Sequence, residues 1–313
     1  MTEQRNGTES EELVRNHTFD AEGPLELDVS LTVGRVDIRL GEQDERTGPT
    51  ESRPALVEVR HDPGAQAPWL SGVSSLLAWV GEQFGQQLGT DLGGSPADAV
   101  QQTRVEKVGN RLVVRGPKPL PLRNIPLAVT VHAPAGSALQ VRSGAAAVDV
   151  TGAAGRVDVS SGSGEVSVER SDGAAIVRSG TGAIRLGPIP SGLHLRTGSG
   201  DVEVASLGGT ATLATGTGTV WVGTSAGEVQ VRSGGGGLSV ADASSGSLEL
   251  VTGSGDIRIG IRPGVLAEVK LSSGSGTVSS ELDVTEQPTD RLETLNVRAR
   301  TGSGNAVLTR ATG

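Results

Sequence analysis

Cysteine and tyrosine are absent from this 313-residue chain, which has only two phenylalanines and three tryptophans. The lack of cysteine excludes disulfides and thiol chemistry. So few aromatic rings cannot fill a globular aromatic core, which leaves Val, Ile, Leu and Ala to build whatever interior there is. No apolar run reaches the roughly 20 residues of a membrane-spanning helix. The start, MTEQRNGTESEELV, is polar and acidic, without the apolar segment of a signal peptide. The expectation is a cytoplasmic protein with no membrane insertion, a surface location being the alternative. Positive charge is in deficit, with 27 Lys and Arg against 36 Asp and Glu for a formal charge of −9. That balance disfavours nucleic acid or an anionic membrane as a partner. The four histidines (His17, His61, His132, His194) are scattered without ligand spacing, so no metal and no cofactor are expected.

Glycine is in excess, with 47 residues, and it falls in register. The motif TGSGDVEV (197–204) has close copies upstream in SSGSGEVSV (160–168) and VRSGTGAIRL (177–186). Downstream come LATGTGTVWV (213–222), VRSGGGGLSV (231–240), LVTGSGDIRI (250–259), LSSGSGTVSS (271–280) and ARTGSGNAVL (299–308). The first glycines stand at 144, 162, 180, 198, 216, 234, 253, 274 and 302, giving steps of 18 five times, then 19, 21 and 28. A period held this tightly marks one structural unit stacked on copies of itself.

Alignment of the copies produces columns. Val148, Val166, Ile184, Val202, Val220, Leu238, Ile257 and Val278 each follow the first glycine by four residues, and Val150, Val168, Leu186, Val204, Val222, Val240 and Ile259 come two later in all but the last of these copies. Between them lie Asp149, Ser167, Arg185, Glu203, Trp221, Ser239 and Arg258. Apolar residues at every second position are the mark of a strand with one buried face. The pattern returns nine residues on, as in Val157/Val159, Leu193/Leu195, Val229/Val231 and Leu248/Leu250. Each unit therefore holds two short strands and two tight turns, and stacked copies would lie about 4.8 Å apart. The expected fold is all-β: a single-stranded β-solenoid, a right-handed β-helix of about 18-residue coils, with one inserted amphipathic helix. Its glycines would supply positive φ at the turns. Its hydroxyl column (Ser161, Ser179, Thr197, Thr215, Ser233, Thr252, Thr301) would pair with backbone at the corners.

In chain order, residues 1–15 read as a disordered acidic lead. Residues 16–139 read as irregular N-terminal coils that cap the stack. Within them 64–102 is an insertion in which Trp69, Val73, Leu76, Leu77, Val80, Phe84 and Leu88 form a helical stripe. That helix either covers the β core or binds a partner, and GTDLGGSPAD (89–98) follows as a linker. Regular repeats occupy 140–313, with a polar excursion at 280–296 before a final short copy.

The stretches TFDAEGPLELDVSLTVGRVDIRL (18–40) and APAGSALQVRSG (133–144), with the TGSGDVEV-type repeats, resemble the bacterial putative-adhesin family of β-strand-repeat proteins, a domain of unknown function. The resemblance spans nearly the whole chain outside 64–102. It implies a right-handed β-helix and supplies no catalytic residues.

The candidate sites are few. GTSAG (223–227) fits the G-x-S-x-G pattern of serine hydrolases, but Ser225 falls in a repeat turn followed by a strand rather than a helix. Calcium-binding nonapeptide rolls place Asp elsewhere in the turn than Asp201 and Asp256, and most copies carry no acid there. Asp201 and Glu203 point outward two residues apart, about 7 Å along a strand, a separation an inverting glycosidase could use. Arg185, one coil away, offers Glu203 an ordinary cross-strand ion pair instead. Trp221 occupies the same outward column, where an indole could stack on a sugar ring or a partner chain. The leading expectation is a non-enzymatic scaffold or binding solenoid that contacts a protein partner or self-associates, with Trp221, Glu203, Arg185 and Asp201 as contact candidates. An adhesin or carbohydrate-binding module comes second, and a polysaccharide-active enzyme third.

Overall fold

A computed structural model describes residues 14–41, 54–64, 95–282 and 295–311. The 69–88 helical stripe, residues 1–13 of the acidic lead and most of the 280–296 excursion lie outside the described residues. Two compact units divide the chain, residues 1–152 and 153–313.

The second unit is a β-solenoid. Strands Val166–Ser171, Ile184–Ile189 and Val202–Leu207 pair in parallel, each in register with the strand one coil on, and the stack continues through Val220 and Leu238 to Ile257–Ile261. The intervening strands Val157–Ser161, Ala175–Ser179, Leu193–Thr197 and Ala211–Thr215 form a second parallel stack that continues through Val229–Ser233 and Leu248–Thr252. In the later coils the chain stays extended through the corner, so Val220–Ser233 and Leu238–Thr252 each form one long bent strand. Alternation does what the sequence expects: Val202, Val204, Val220, Val222, Leu238 and Val240 are all buried, while Glu203 and Trp221 between them are exposed. Burying a Val or Leu side chain contributes about 1.5–3 kcal/mol, and here each such residue meets its counterpart in the next coil.

The turns work differently from the expectation. None of the first glycines of the repeat has the positive φ foreseen for it; positive φ occurs at other positions, such as Gly192, Gly227 and Gly246. What the repeat glycines need is the absence of a side chain. A Cβ on Gly198 would stand 2.6 Å from the carbonyl oxygen of Gly180, and one on Gly234 equally close to that of Gly216. The backbone itself fills this space, with Gly198 N–H donating to Gly180 O at 3.0 Å and Gly216 N–H to Gly198 O at 2.9 Å. Most of the hydroxyl column braces the same turns. Thr215, Ser233, Thr252 and Thr301 each accept from the N–H of the glycine three residues on, at 2.8–3.2 Å. Thr252 and Thr301 also donate to a carbonyl of the adjacent coil, Gly236 and Gly255 respectively, both at 2.9 Å. Ser179 and Thr197 are exceptions, their hydroxyls buried without a partner.

The coils do not follow chain order to the end. The C-terminal copy, Leu295–Thr301 and Ala306–Arg310, pairs on one side with 246–252 and 257–261, and on the other with Ala267–Ser273 and Val278–Ser280. The chain therefore lays down coil 267–280 one place too far and returns to fill the gap. The glycines agree: the space beside Gly302 is taken by Gly253, and that beside Gly274 by Gly302. The sequence reading put the copy at 299–308 at the end of the stack; the structure puts 267–280 there. Val278, assigned to the buried column, is accordingly 49% exposed, because among the described residues its strand pairs on one side only.

The first unit keeps parallel stacking in part. Glu26–Leu31 lies between Arg111–Arg115 and Ala138–Ser143, and Gly34–Leu40 between Leu127–Ala133 and Ala147–Gly152, all parallel. Antiparallel strands flank these: Ala55–His61 joins Leu127–Ala133 to Val14–Phe19, and Arg104–Val108 pairs with Arg111–Arg115. Val14 and Arg15, placed in the acidic lead by sequence, thus belong to a strand. One α-helix, Pro96–Gln102, forms among the described residues and begins inside the segment read as a linker. Ser95 caps it, accepting from Asp98 N–H at 3.1 Å while the Asp98 carboxylate accepts from Ser95 N–H at 3.3 Å. Arg15 donates to the carbonyls of Val100, Gln101 and Thr103 at its other end. Asp28, 2% exposed, lies against Arg111 (2.7 Å), Arg115 (3.3 Å) and Arg142 (3.6 Å), so one carboxylate ties three neighbouring strands together.

Two adjacent glycines test the account of the turns. Gly234→Ala forces a Cβ onto a backbone carbonyl and should cost about 1–3 kcal/mol. At Gly235 the nearest atom to a new Cβ is Ser254 Oγ at 3.5 Å, so Gly235→Ala should be neutral, or stabilising by a few tenths of a kcal/mol. Urea denaturation of both variants is the measurement, and equal losses would contradict the stacking explanation.

Candidate functional site

The outward side of the first-strand stack in the second unit brings three of the four sequence candidates together. Arg185, Glu203 and Trp221 occupy successive strands in direct register. All three are exposed. Arg185 ion-pairs with Glu165, and with Glu203 at 4.0 Å. The expected pair with Glu203 therefore sits at the limit of contact, and Glu165 is the closer partner. Exposed pairs of this kind contribute about 0–1 kcal/mol, so the guanidinium and both carboxylates can re-pair with a ligand at small cost.

Trp221 is 42% exposed, so neither loop nor helix among the described residues covers it. Its ring carbon Cη2 lies 3.1 Å from where a Cβ on Gly223 would stand. The indole thus leans along its own strand and lies over the glycine, which leaves part of its surface facing outward. Gly223 belongs to a row the sequence reading left unremarked: seven residues after the repeat's first glycine come Gly187, Ala205, Gly223, Ala241 and Gly260. These small residues form a floor beside the Arg185–Glu203–Trp221 row, open from Gly187 to Ala241 and buried at Gly260. At one end the floor dips into a shallow depression of about 210 Å³ bordered by Ser167, Glu169, Arg185, Gly187, Glu203 and Ala205. The signal was available in the aligned repeats as a column of Gly and Ala at an outward position.

Asp201 is placed otherwise. Its carboxylate accepts from the Thr219 hydroxyl at 2.7 Å and from the Thr219 N–H at 2.8 Å, one coil on. These bonds hold its pKa below the usual carboxylate range, the hydroxyl contributing most. The motif recurs, since Asn305 accepts from Thr277 hydroxyl and N–H at 2.8 and 3.0 Å, and Asp256 accepts from Asn305 N–H at 2.7 Å. Asp201 is thus a staple between coils and not a free partner for Glu203. Ser225 is also relocated: it is 1% exposed within strand Val220–Ser233 rather than in a turn, in register with Leu207 and Ala243. An inward-facing serine in a core column is in no position to act as a nucleophile.

Among the described residues no group of three or more His, Cys, Asp or Glu could hold a metal ion, and no helix is long and apolar enough to cross a membrane. A family model described as Toastrack DUF4097 matches residues 128–307. No curated protein matches the chain. Among solved structures, a "putative cell adhesion protein" from Clostridium sporogenes ATCC 15579 is 8% identical over 95% of this chain and 98% of that one, with a TM-score of 0.20. A "putative adhesin" from Bacteroides fragilis NCTC 9343 is 10% identical over 94% of this chain and 96% of that one, at a TM-score of 0.38. Another from Parabacteroides distasonis ATCC 8503 is 11% identical over the same shares, at 0.28. These alignments assign no ligand and no residue role to this chain.

The Asp201 staple has a pH signature. Its folded pKa is depressed, so the stability it contributes is present above the ordinary carboxylate value of about 3.9 and is lost as pH falls through the lower folded value. Asp201→Asn keeps an oxygen for both Thr219 donors, as Asn305 does for Thr277, and has no proton to gain. Urea midpoints measured at neutral pH and near pH 3 should therefore fall further for the wild type than for the variant. An equal fall would remove the staple's role in acid sensitivity.

Proposed function

The chain belongs to the Toastrack DUF4097 family, a domain of unknown function, and we propose that it acts as a non-enzymatic binding solenoid whose contact surface is the Arg185–Glu203–Trp221 row. The observation that carries this reading is Trp221, an indole that leans over Gly223 and is 42% exposed on a parallel strand stack. A sugar ring or a partner's flat side chain gains most from such a platform, which supplies apolar area at no cost in ordering the site. Glu203 accepts and Arg185 donates, so hydroxyl groups at the rim of a sugar ring find both kinds of partner. A glycosidase would need two carboxylates at work across the scissile bond; the bonds from Asp201 to Thr219 leave Glu203 without its nearest candidate. The binding reading includes the adhesin alternative and ranks it above catalysis.

The test is a glycan-array screen with the wild type and Trp221→Ala, combined with fluorescence of a variant carrying Trp69→Phe and Trp79→Phe. The single remaining indole should emit red-shifted light and be quenched by acrylamide, and ligands from the array should shield it. Trp221→Ala should lose those ligands while its urea midpoint stays within about 1 kcal/mol of wild type. A blue-shifted, protected emission in the free protein would count against this surface.

A second observation supports self-association. Coil 267–280 ends the stack among the described residues, and Val269 and Leu271 on it are only half-buried while Val278 is exposed. A strand edge with apolar side chains beside it is a template for another strand. Light scattering should then give an apparent mass that rises with concentration, and Val278→Lys should suppress the rise. A wild type that stays monomeric at high concentration rules this reading out.

A further inference from the structure

The second-strand stack of the same unit carries a different chemistry on its outward side. One row in register contains Arg178, Arg196, Arg232 and Arg300 and no carboxylate. In the neighbouring row Arg298 stands between Glu249 and Lys270. Where the two rows meet the inserted C-terminal copy, Arg232, Arg298, Arg300 and Lys270 line a cleft of about 530 Å³ with Glu249 as its only acid. That acid is already engaged by Gln230 at 2.8 Å and Arg232 at 3.7 Å. Arg298 and Arg300 ion-pair with no carboxylate among the described residues, and both are exposed. Interstrand spacing puts Arg298 about 5 Å from Lys270 along the row, and Arg300 about 10 Å from Arg232 across Val251. A chain of formal charge −9 thus gathers four cations around one carboxylate in this cleft, with Lys270 held by Glu268 at 2.5 Å and Arg298 and Arg300 left without an ion pair among the described residues.

We propose that this cleft binds an acidic glycan, a carbohydrate polymer bearing carboxylate or sulfate groups. Planar guanidiniums take such groups by paired hydrogen bonds, while Gln230 and Ser272 beside them can serve sugar hydroxyls. The alternatives lack what they need. Single-stranded nucleic acid requires a series of aromatic stacking platforms, and neither row holds a Phe, Tyr or Trp, with His194 the one ring between them. A protein partner requires a desolvated apolar or aromatic anchor, and none of the exposed large hydrophobic residues lies in these two rows. This face is separate from the one bearing Trp221, and the proposal stands or falls without it.

Affinity electrophoresis of the full chain in low-salt buffer tests the proposal, with polygalacturonate as the carboxylate probe, heparin as the sulfate probe, neutral dextran as the uncharged control and duplex DNA as the competing polyanion. The wild type should be retarded by at least one acidic glycan and not by dextran, and the retardation should fade as salt rises. The double variant Arg298→Gln/Arg300→Gln should bind roughly tenfold or more weakly. Arg258→Gln, an exposed arginine on the first-strand stack, should match the wild type, as should Trp221→Ala. Urea melts confirm that the exposed substitutions leave the fold intact. Which of the two acidic probes binds identifies the anionic group. Equal retardation of wild type and double variant, retardation by dextran, absence of retardation by either acidic glycan, or preference for DNA over both would each overturn the proposal.

Discussion

Backbone stacks directly on backbone at the repeat turns, and the second unit depends on that contact. Each turn lies one interstrand spacing from the next, so there is room for a peptide unit and none for a Cβ. Glycine therefore recurs because Gly198 and Gly216 donate N–H to the carbonyls of Gly180 and Gly198, and Gly234 packs against the carbonyl of Gly216, and not because the chain needs positive φ there. Once the turns stack at that distance, the strands between them are held in parallel register and the alternating side chains sort themselves. Val, Ile and Leu meet their counterparts inside, while Arg, Glu, Ser and Trp form rows outside. The hydroxyl column adds bonds from side chain to backbone at the same corners, which is where a sharply turning chain leaves backbone groups without strand partners.

The same ladder explains how the chain can depart from its own order. Successive copies present nearly identical turns, so the copy at 295–310 fits between coils 257–261 and 267–280 as well as any other would. What distinguishes the positions is what lies on each side. Coil 267–280 has a neighbour on one side among the described residues, and its apolar residues are correspondingly open. The irregular steps of 21 and 28 between glycines give the chain the extra length for this detour.

Charge is sorted by the fold in a way that net charge conceals. At −9 the chain reads as a poor partner for anions, yet the solenoid sets Arg178, Arg196, Arg232 and Arg300 in one line, with Arg298 and Lys270 beside it. Exposed charges farther apart than a Debye length, about 10 Å at 0.1 M salt, act almost independently. The local row, and not the sum over the chain, therefore decides what the cleft attracts.

Sequence alone determined the solenoid of the second unit, its period, the inward and outward columns, and the common face of Arg185, Glu203 and Trp221. All of these follow from a two-residue alternation repeated every 18 residues, which is local information written many times. Tertiary structure alone decided the rest. The Asp201–Thr219 staple, the close approach that makes Gly198 and Gly234 necessary, and the burial of Ser225 depend on which atoms of one coil meet those of the next. The antiparallel strands of the first unit join segments that share no repeat, and the triple clamp on Asp28 reaches across more than 80 residues of chain. The return of 295–310 into the stack is also beyond a one-dimensional reading, because similar copies carry no mark of their spatial order and only the contacts on both sides fix it.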